Sequence, residues 1–591
     1  MKRKHVRLHH KPLLGALLLT AMLAACGEND DLQAGQPATG AGKHYVSLTF
    51  TMPTQDETSR AVNPTGGERG DGYEQGQDNE NTITDAVAFF FQNNGAGVNG
   101  DANTPVQYMF FNSFKQTGYG NGNGIDRTYT SKPIPTDLYG EYNVLVVANP
   151  GKDDWWTSTT TLTLGTVRDK VLTQAWAKEG EEYSYFLMSS AADATIQISD
   201  ANNTEATAAN TKINVERMAA RVDYKTLGSY TCADPNYKNA TVEITGATII
   251  NRLTAGSYLL KRVAEYVNGT TPDYLGKETS NNDKATNYVL DPWTALKTQA
   301  NLTGTPFTVD GQNVAASDLY DPQTYIPTRS DNPEDWADYC KAGVDATEDN
   351  YLRVGYALEN TTGKLETSLN YNTGIVFKAQ FHPKDVEGYT DGHTFFTYNG
   401  TIYPTLTSMM GQLNAQKDFA AYASEELKKL ASWEELTNFA QSFVNDPTGY
   451  RDYLTKFATE HSSETYNANA EQLTWTYYLN QKLGVEEDAQ NGPQINQNNV
   501  ETRAALYDSS EGLLRTYYNS QCYYIWWLRH SNDGDDETNG VMEYAVVRNN
   551  IYKVNVESIY SLGGDIPDNE QLKAMVYVNK WTMLNPEVLP M

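Results

Sequence analysis

The sequence has 591 residues, enough for two or more domains that each bury their own hydrophobic core. Its formal net charge is −29, and this acidity argues against nucleic acid and anionic lipid as partners, because like charges repel along the whole approach. A content of 40 Tyr and 44 Gly is typical of exported β-rich surface proteins, whereas 4 Cys are too few for a disulfide scaffold.

The first 26 residues have the pattern of a bacterial lipoprotein signal. Basic residues precede Leu13–Ala25, an uncharged apolar run that is too short to span a bilayer comfortably as a permanent helix. Leu23–Cys26 then matches the lipobox, in which small residues fit the signal peptidase and the cysteine thiol is acylated. We predict a signal peptide over residues 1–25 and lipidation of Cys26, for example with palmitate. An ordinary signal peptide with an incidental cysteine is the alternative.

Strands are predicted from Lys43 onward, because apolar residues alternate or form short runs between Gly, Asn, Asp and Pro turns. Tyr45–Met52 alternates as a half-buried strand does. Pro53–Asn81 has almost nothing to bury and is predicted to be a flexible loop. Further strands of this first set are predicted at Ala86–Phe91, Tyr142–Ala148, Thr195–Ile198 and Ala220–Tyr224. A second set begins near Ala240, and Cys232–Asn239 is the predicted boundary between the two sets.

One segment of the second set has helical spacing. Leu, Phe and Trp recur at three- and four-residue intervals over Gly411–Asn445, with Glu and Lys between them, so a helical insertion is predicted over about residues 411–483. Strands are predicted around it at Leu352–Glu359, Gly374–Phe381, Cys522–Arg529, Glu543–Arg548, Ile551–Ile559 and Met575–Trp581. Asn549–Asn550 is predicted to be a hairpin turn, since Asn tolerates positive φ.

Patterns of catalysis or of cofactor binding are not found in the sequence. The histidines after Cys26 stand neither in a His-Glu-x-x-His pattern nor in pairs at short spacing, which leaves a zinc site unsupported. Neither a Gly-x-Ser-x-Gly elbow nor a phosphate-binding Walker loop occurs. We therefore predict no enzyme activity, no metal and no cofactor, although the paired carboxylates of a glycosidase stay open because their separation is spatial.

Several short segments of the sequence resemble the fimbrillin superfamily of Bacteroidales, in particular the Mfa1-type major fimbrial subunits. They are Gly140–Asn149, Val215–Val222, Tyr356–Thr361, Gly374–Ala379 and Tyr544–Val554. The resemblance implies an all-β fold of two tandem transthyretin-like β-sandwiches, over residues 61–230 and 231–591, with the helical insertion in the second. It also implies a structural, non-catalytic subunit of a cell-surface fimbria that supports adhesion.

The resemblance also implies how subunits assemble. In fimbrillins the first strand of the subunit blocks an apolar groove until a protease removes it, and here Lys43–Met52 is the matching strand within a lipidated propeptide of residues 26–60. The family's arginine-specific cleavage position matches Arg60-Ala61. Arg69, in the same exposed loop, is a second candidate. An arginine in an unprocessed linker is the alternative.

The C-terminal tail, residues 573–591, is predicted to be the strand that another subunit receives. Its apolar and aromatic residues Met575, Tyr577 and Trp581 stand at a terminus, where such side chains are normally liabilities. A strand added to an exposed sheet edge binds through main-chain hydrogen bonds. The alternative is that this segment is the last strand of its own sandwich.

The predicted partners are other copies of the chain, accessory fimbrial subunits and an arginine-specific protease. The predicted location is the outer membrane before processing and a surface fimbria afterwards, with a stalk position favoured over anchor or tip. Two other functions are weighed. A glycan-binding lipoprotein of a polysaccharide-uptake system is the first, but such proteins are largely helical repeats. An outer-membrane-anchored hydrolase is the second, and no catalytic constellation supports it.

Overall fold

The computed structural model describes residues 42–51, 73–92, 102–117, 128–151, 154–157, 161–172, 175–179, 182–191, 193–253, 256–264, 273–274, 288–294, 307–309, 312–314, 333–345, 350–361, 372–405, 408–409, 427–441, 450–474, 477–478, 481, 485–488, 492–495, 514–530, 542–567 and 572–582. The regular structure in these ranges is mostly β-strand, with a smaller share of helix. The prediction of a β-rich chain is confirmed at this level.

The strands of the first part of the chain end at Arg217. They are β1 (His44–Thr51), β2 (Tyr73–Gln75), β3 (Ala86–Phe91), β4 (Gln107–Phe111), β5 (Phe114–Thr117), β6 (Thr128–Ser131), β7 (Ile134–Thr136), β8 (Gly140–Ala148), β9 (Val171–Leu172), β10 (Trp176–Glu179), β11 (Glu182–Phe186), β12 (Met188–Ser190), β13 (Ala194–Ile198) and β14 (Ala209–Arg217).

Ten of these strands form one sheet that folds around a shared core. The order is β4-β3-β8-β12-β14-β1-β6-β5, with β13 also paired to β8 and β7 to β1. The long strand β14 joins both halves of the sheet, since its residues 209–214 pair with β1 and its residues 215–217 pair with β12. Strands β4 and β5, at opposite ends of the order, follow each other directly in the chain. Buried side chains of β1, β3, β8 and β14 meet in a single apolar cluster.

The strands of the second part begin one residue after Met218. They are β15 (Ala219–Lys225), β16 (Ser229–Thr231), β17 (Thr241–Ile250), β18 (Ser257–Tyr258), β19 (Arg262–Ala264), β20 (Asp273–Tyr274), β21 (Tyr288–Leu290), β22 (Phe307–Val309), β23 (Gln312–Val314), β24 (Val344–Asp345), β25 (Leu352–Leu358), β26 (Gly374–His382), β27 (Phe395–Tyr398), β28 (Thr401–Tyr403), β29 (Val485–Asp488), β30 (Gly492–Ile495), β31 (Leu514–Tyr517), β32 (Gln521–Trp527), β33 (Asn550–Ile559) and β34 (Leu572–Thr582).

Two sheets of this second part face each other across one core. A six-stranded sheet has the order β2-β34-β33-β15-β25-β24, and a four-stranded sheet has the order β16-β17-β26-β32. Val222 and Val554 from the first sheet belong to the same buried cluster as Val242, Phe377 and Tyr524 from the second. Two sheets that share one apolar core form a β-sandwich. The other strands form two- and three-stranded sheets, among them the three-stranded sheet β28-β27-β31.

Helices are short in the described part of the chain. They are α1 (Asp78–Asn81), α2 (Leu164–Arg168), α3 (Pro333–Tyr339), α4 (Trp433–Gln441) and α5 (Tyr450–Glu460), with single 3₁₀ turns at Trp155–Thr157, Asp200–Asn202, Glu205–Thr207, Pro235–Tyr237, Leu427–Lys429, Glu471–Leu473 and Tyr518–Ser520. Within the ranges given above, no helix has both the length and the apolar character needed to cross a membrane.

Helices α4 and α5 lie in the region predicted to be a helical insertion and have a core of their own. Leu436 of α4 and Leu454 of α5 are fully buried in this cluster, as is Tyr450. Phe396 and Tyr403, from β27 and β28, join the same cluster, so the helices pack on a small sheet of the second part. The apolar spacing of the sequence thus marks the face by which these helices pack.

Three local predictions are wrong. The predicted loop Pro53–Asn81 ends in β2 and α1, and Glu80 and Asn81 are fully buried. The composition of the segment misleads because polar side chains can be buried when distant polar groups satisfy them. The predicted strand Glu543–Arg548 does not form, since within it only Val546 forms a bridge, and that bridge is to Asn360. The predicted hairpin at Asn549–Asn550 is therefore absent within residues 542–559. Asn549 nevertheless has a positive φ of 58°.

The chain passes from the ten-stranded sheet to the six-stranded sheet at Met218, which lies between β14 and β15. Cys232–Asn239, the predicted boundary, connects β16 to β17, and these two strands pair within one sheet. Cys232 itself is a buried thiol in the core of the second part, as is Cys522.

Large cations are buried beside this passage. Among the described residues, the fully buried arginines are Arg217, Arg221 and Arg548. Arg221 Nη1 lies 3.0 Å from Glu80 Oε2, and Arg221 Nη2 lies 2.9 Å from Asp223 Oδ2. All three of these side chains have no solvent exposure. A buried cation is tolerated only when it is paired and hydrogen-bonded, so Glu80 and Asp223 are required by Arg221.

Arg548 is paired with a carboxylate, and Arg217 donates to neutral oxygens. Arg217 Nε donates to the carbonyl oxygen of Glu80 at 2.8 Å, and Arg217 Nη1 donates to Asn549 Oδ1 at 3.2 Å. Arg548 Nη2 lies 2.6 Å from Glu359 Oε2. These contacts tie the end of β14 to α1 and to the residue before β33. The contacts of Arg217 therefore join the first and second groups of strands through buried polar bonds.

The electrostatics of Glu80 make this junction sensitive to acid. Burial alone raises the pKa of a carboxyl group, but the charge of Arg221, the hydroxyl of Tyr356 and the N–H of Gln77 outweigh it. The pKa of Glu80 therefore lies below its ordinary value of 4.5. A carboxyl with a lowered pKa stabilises the folded chain above its ordinary pKa, and this stabilisation is lost as the pH falls through the folded-state pKa.

We expect Glu80→Gln to lower the free energy of unfolding at neutral pH by about 3 kcal/mol, because it leaves Arg221 with one carboxylate instead of two. The difference between the wild type and the variant should be complete above pH 4.5 and should shrink as the pH falls below that value. Urea unfolding at a series of pH values measures it. A difference that is independent of pH would contradict the assigned role of Glu80.

Candidate functional site

The first strand, β1, lies inside the ten-stranded sheet with a neighbour on each edge. It runs parallel to β14, from Val46 opposite Ala209 to Thr51 opposite Asn214. Its other edge is antiparallel to β7 near its start and to β6 near its end. Both edges of β1 are therefore hydrogen-bonded. Its removal would leave β14 on one side and β6 and β7 on the other without their present partner.

One face of β1 is apolar and fully buried. Val46, Leu48 and Phe50 each have no solvent exposure. The ring of Phe50 packs against Phe114 of β5, with centroids 5.3 Å apart. Because successive side chains of a strand point to opposite faces, these three residues line one side of β1 and fill the cleft between the two halves of the sheet. Burying side chains of this size stabilises by about 1.5–3 kcal/mol each.

The other face of β1 carries hydroxyl groups that bond to asparagines of β14. Asn210 Nδ2 donates to Ser47 Oγ at 2.9 Å, and Thr49 Oγ1 donates to Asn210 Oδ1 at 3.1 Å. Thr51 Oγ1 donates to Asn214 Oδ1 at 2.6 Å. The sequence shows the alternating hydroxyls, but the partner asparagines, about 160 positions away, were not identified from the sequence. This hydroxyl–amide ladder adds side-chain specificity to the backbone pairing of β1 and β14.

A pocket borders the start of β1. It is lined by Lys43, His44, Asp137, Tyr139, Asp200 and Asn203. His44 Nε2 lies 3.8 Å from Asp200 Oδ1, and the ring of His44 lies 5.4 Å from that of Tyr139. In the part of the chain that the structure describes, no group of three or more His, Cys, Asp or Glu side chains is placed to hold a metal ion.

Three of the predicted site residues, Cys26, Arg60 and Ala61, lie outside the described residues, as does Arg69. The described chain stops at Thr51 and resumes at Tyr73. Lys43–Met52, predicted to be the strand that fills the groove, corresponds to β1.

The other predicted site residues, Met575, Tyr577 and Trp581, all lie in β34. This strand pairs antiparallel with β33 from Leu572 to Lys580. On its other edge, its pairing with the described residues is to β2 at residues 580–582. In the single chain, β34 is thus a strand of the six-stranded sheet and is not a neighbour of β1.

The C-terminal part of the chain matches a known protein family. Residues 515–587 match the family described as major fimbrial subunit protein type IV, fimbrillin, C-terminal. The matched region includes the strands β32, β33 and β34 and the buried Arg548. No curated protein matches the chain.

Solved structures give similarities at low identity. A candidate cell adhesion protein from Parabacteroides distasonis is 11% identical, with a TM-score of 0.36, covering 91% of this chain and 100% of the other. A fimbrilin from Porphyromonas gingivalis is 12% identical, with a TM-score of 0.31, covering 91% and 98%. The tip fimbrial protein Mfa3 from the same organism is 9% identical, with a TM-score of 0.27, covering 91% and 100%.

Because these TM-scores lie below 0.5, the family relationship rests on the sequence match over residues 515–587. The predicted resemblance to the fimbrillins is confirmed by that match, while the Mfa1 type within them stays a prediction. The family that residues 515–587 of this chain match is thus the C-terminal part of the fimbrillins, the major fimbrial subunits.

Proposed function

We propose that the chain is a structural stalk subunit of a cell-surface fimbria that supports adhesion. It is exported as a lipoprotein through acylation of Cys26 and reaches the outer membrane. A cut after Arg60 or Arg69 then removes the leader together with β1, and a strand of another copy takes the vacated place. The partners are other copies of the chain, accessory fimbrial subunits and an arginine-specific protease.

The position of β1 carries this proposal. It is the first described strand, it is hydrogen-bonded on both edges, and it fills an apolar cleft with Val46, Leu48 and Phe50. Its departure would expose that cleft together with the unpaired edges of β14 and β6. Main-chain pairing to such an edge provides binding, and alternate side chains in the cleft provide register. An incoming apolar strand is the occupant that satisfies both.

The segment 52–72 is the natural place for the cut. It joins β1, in the ten-stranded sheet, to β2, in the six-stranded sheet, and it contains Arg60 and Arg69. A trypsin-like protease needs an extended arginine. A cut at either arginine falls between the described strands β1 and β2 and so separates β1 from the remainder of the chain.

The strand β34 is the proposed donor. Its sequence, LKAMVYVNKWT, is apolar and aromatic, and its outer edge is paired with β2 only over the residues 580–582. Its inner edge is paired with β33, so donation requires exchange of that ladder for one in the neighbouring copy. The remaining organisation that we propose is two transthyretin-like sandwiches that meet at Met218, with the helices α4 and α5 in an insertion of the second.

Limited trypsin treatment of the purified chain is expected to release the segment through Arg60 or Arg69 and to convert monomer to ladders that survive mild detergent. Replacing both arginines with Ala should prevent both changes, because the protease then has no arginine between β1 and β2. Mass spectrometry of the fragments and gel electrophoresis without boiling measure the two effects. A cut chain that stays monomeric would refute the stalk role.

Phe50→Ala should loosen β1 in its cleft, since truncating a fully buried Phe costs about 3–5 kcal/mol. After trypsin treatment, the fragment that contains β1 is expected to dissociate faster than that of the wild type, and polymers should form sooner. Tyr560→Ala, at an aromatic residue that is 50% exposed, is the control. Equal rates for the two variants would show that the apolar face of β1 does not govern its release.

Removal of residues 573–591 is expected to abolish polymers while the cleavage that releases β1 continues. The truncated chain retains the cleft, so after cleavage it should still bind to cut full-length copies and end their ladders. Mixing truncated and full-length chains in increasing ratio measures this shortening. Full-sized ladders from the truncated chain alone would place the donor strand elsewhere.

A further inference from the structure

The chain that follows residues 52–72 is held by buried contacts. Strand β2 runs parallel to the end of β34, with Tyr73 opposite Lys580 and Gln75 opposite Thr582. The short helix α1 follows directly, and its last two residues, Glu80 and Asn81, have no solvent exposure. A segment of mostly polar sequence is therefore held against the six-stranded sheet by polar bonds.

The carboxylate of Glu80 is held by three side chains of that sheet. Arg221 Nη1 of β15 donates to Glu80 Oε2 at 3.0 Å. Tyr356 of β25 donates its hydroxyl to Glu80 Oε1. Arg353 Nη1 of the same strand lies 3.6 Å from Glu80 Oε1. Charge-assisted bonds of this kind are the stronger ones, and here water is excluded from them.

The flanking residues of α1 add further bonds. Gln77 N–H donates to Glu80 Oε2 at 2.7 Å, and Arg353 Nη1 donates to Gln77 Oε1 at 2.8 Å. Asn81 Nδ2 donates to the carbonyl oxygen of Gly76 at 2.6 Å, and Arg217 donates to Asn81 Oδ1. These bonds close α1 on itself and attach it to β25 and to the end of β14.

The two ends of the segment 52–72 are thus held by different groups. The side chains of β1 bond to β6 and β14 and pack in the core of the ten-stranded sheet. Those of α1 bond to Arg221, Arg353 and Tyr356 in the six-stranded sheet. The hydrogen bonds of β1 and those of α1 have no strand in common apart from β14, although Tyr356 of β25 also belongs to the apolar cluster of β1. Release of β1 therefore leaves the hydrogen bonds of α1 in place.

We infer that Glu80, with Gln77 and Asn81, forms an anchor that retains the new N-terminus on the six-stranded sheet when residues 52–72 are cut. Because of the anchor, only the part of the chain before the cut is released. β1 becomes free to leave its cleft, while β2 stays beside the end of β34. This inference rests on the proposed function, because it assumes a cut between β1 and β2. Glu80 acts here as a positioning residue of the processed subunit.

Hydrogen exchange measured by mass spectrometry on the full chain, before and after limited trypsin treatment, tests the anchor. In the wild type, peptides that cover residues 76–82 should keep their protection after the cut, while the β1 fragment dissociates. In Glu80→Gln, the same peptides should exchange about tenfold faster or more after the cut. Tyr356→Phe, which removes only the hydroxyl that binds Glu80, should have a smaller effect in the same direction and provides the test if Glu80→Gln does not fold.

Glu205→Gln is the matched control, because Glu205 is an exposed carboxylate in a 3₁₀ turn and should leave the exchange of residues 76–82 unchanged. Loss of protection in the cut wild type, or wild-type protection in both anchor variants after the cut, overturns the anchor. Absence of any cut in residues 52–72 overturns it as well. A cut chain that keeps the protection but forms no ladders leaves the anchor standing and refutes the stalk role alone.

Discussion

The buried pairing of Arg221 with Glu80 and Asp223 is the constraint on which the arrangement of this chain depends. An unmatched guanidinium without solvent contact would cost several kcal/mol, so its partners must be supplied. Glu80 comes from a position 141 residues earlier. Arg217, four positions before Arg221, bonds to the backbone of Glu80 and to Asn549, 332 residues later. The polar bonds therefore fix the passage from the ten-stranded sheet to the β-sandwich that follows it.

The N-terminal part of the chain is held by two kinds of contact, those of β1 and those of α1. Strand β1 is held by an apolar face, a hydroxyl–amide ladder and two backbone edges, all within the ten-stranded sheet. Helix α1 is held by charge-assisted bonds to β15 and β25. An apolar strand can be exchanged for another apolar strand, because burial is non-directional. A buried carboxylate matched to particular cations cannot be replaced in this way. The division between exchangeable and retained contacts falls at the segment that contains Arg60 and Arg69.

The apolar periodicity of the sequence predicted strands that bury one face or both. Ala86–Phe91 is a strand with the predicted ends, and its six residues are all buried because it lies between β4 and β8. The alternation of β1 likewise matches its apolar and hydroxyl faces. The pattern failed at Glu80 and at Asn549, where local composition predicted a loop and a hairpin. In both places the conformation is set by distant partners: Arg221 and Tyr356 for Glu80, and Ala219 and Arg217 for Asn549.

By itself the sequence determined that this is a β-rich chain with segments that resemble the fimbrillins, and it located many of the strands. It did so because the alternation of side chains along a strand is a local property. Only the tertiary structure decided that β1 lies between β14 and β6, that β34 pairs with β33 in the single chain, and that Glu80 is buried beneath Arg221. The neighbours of a sheet edge and the counter-ions of a buried charge come from remote parts of the chain. The local sequence pattern therefore does not predict them.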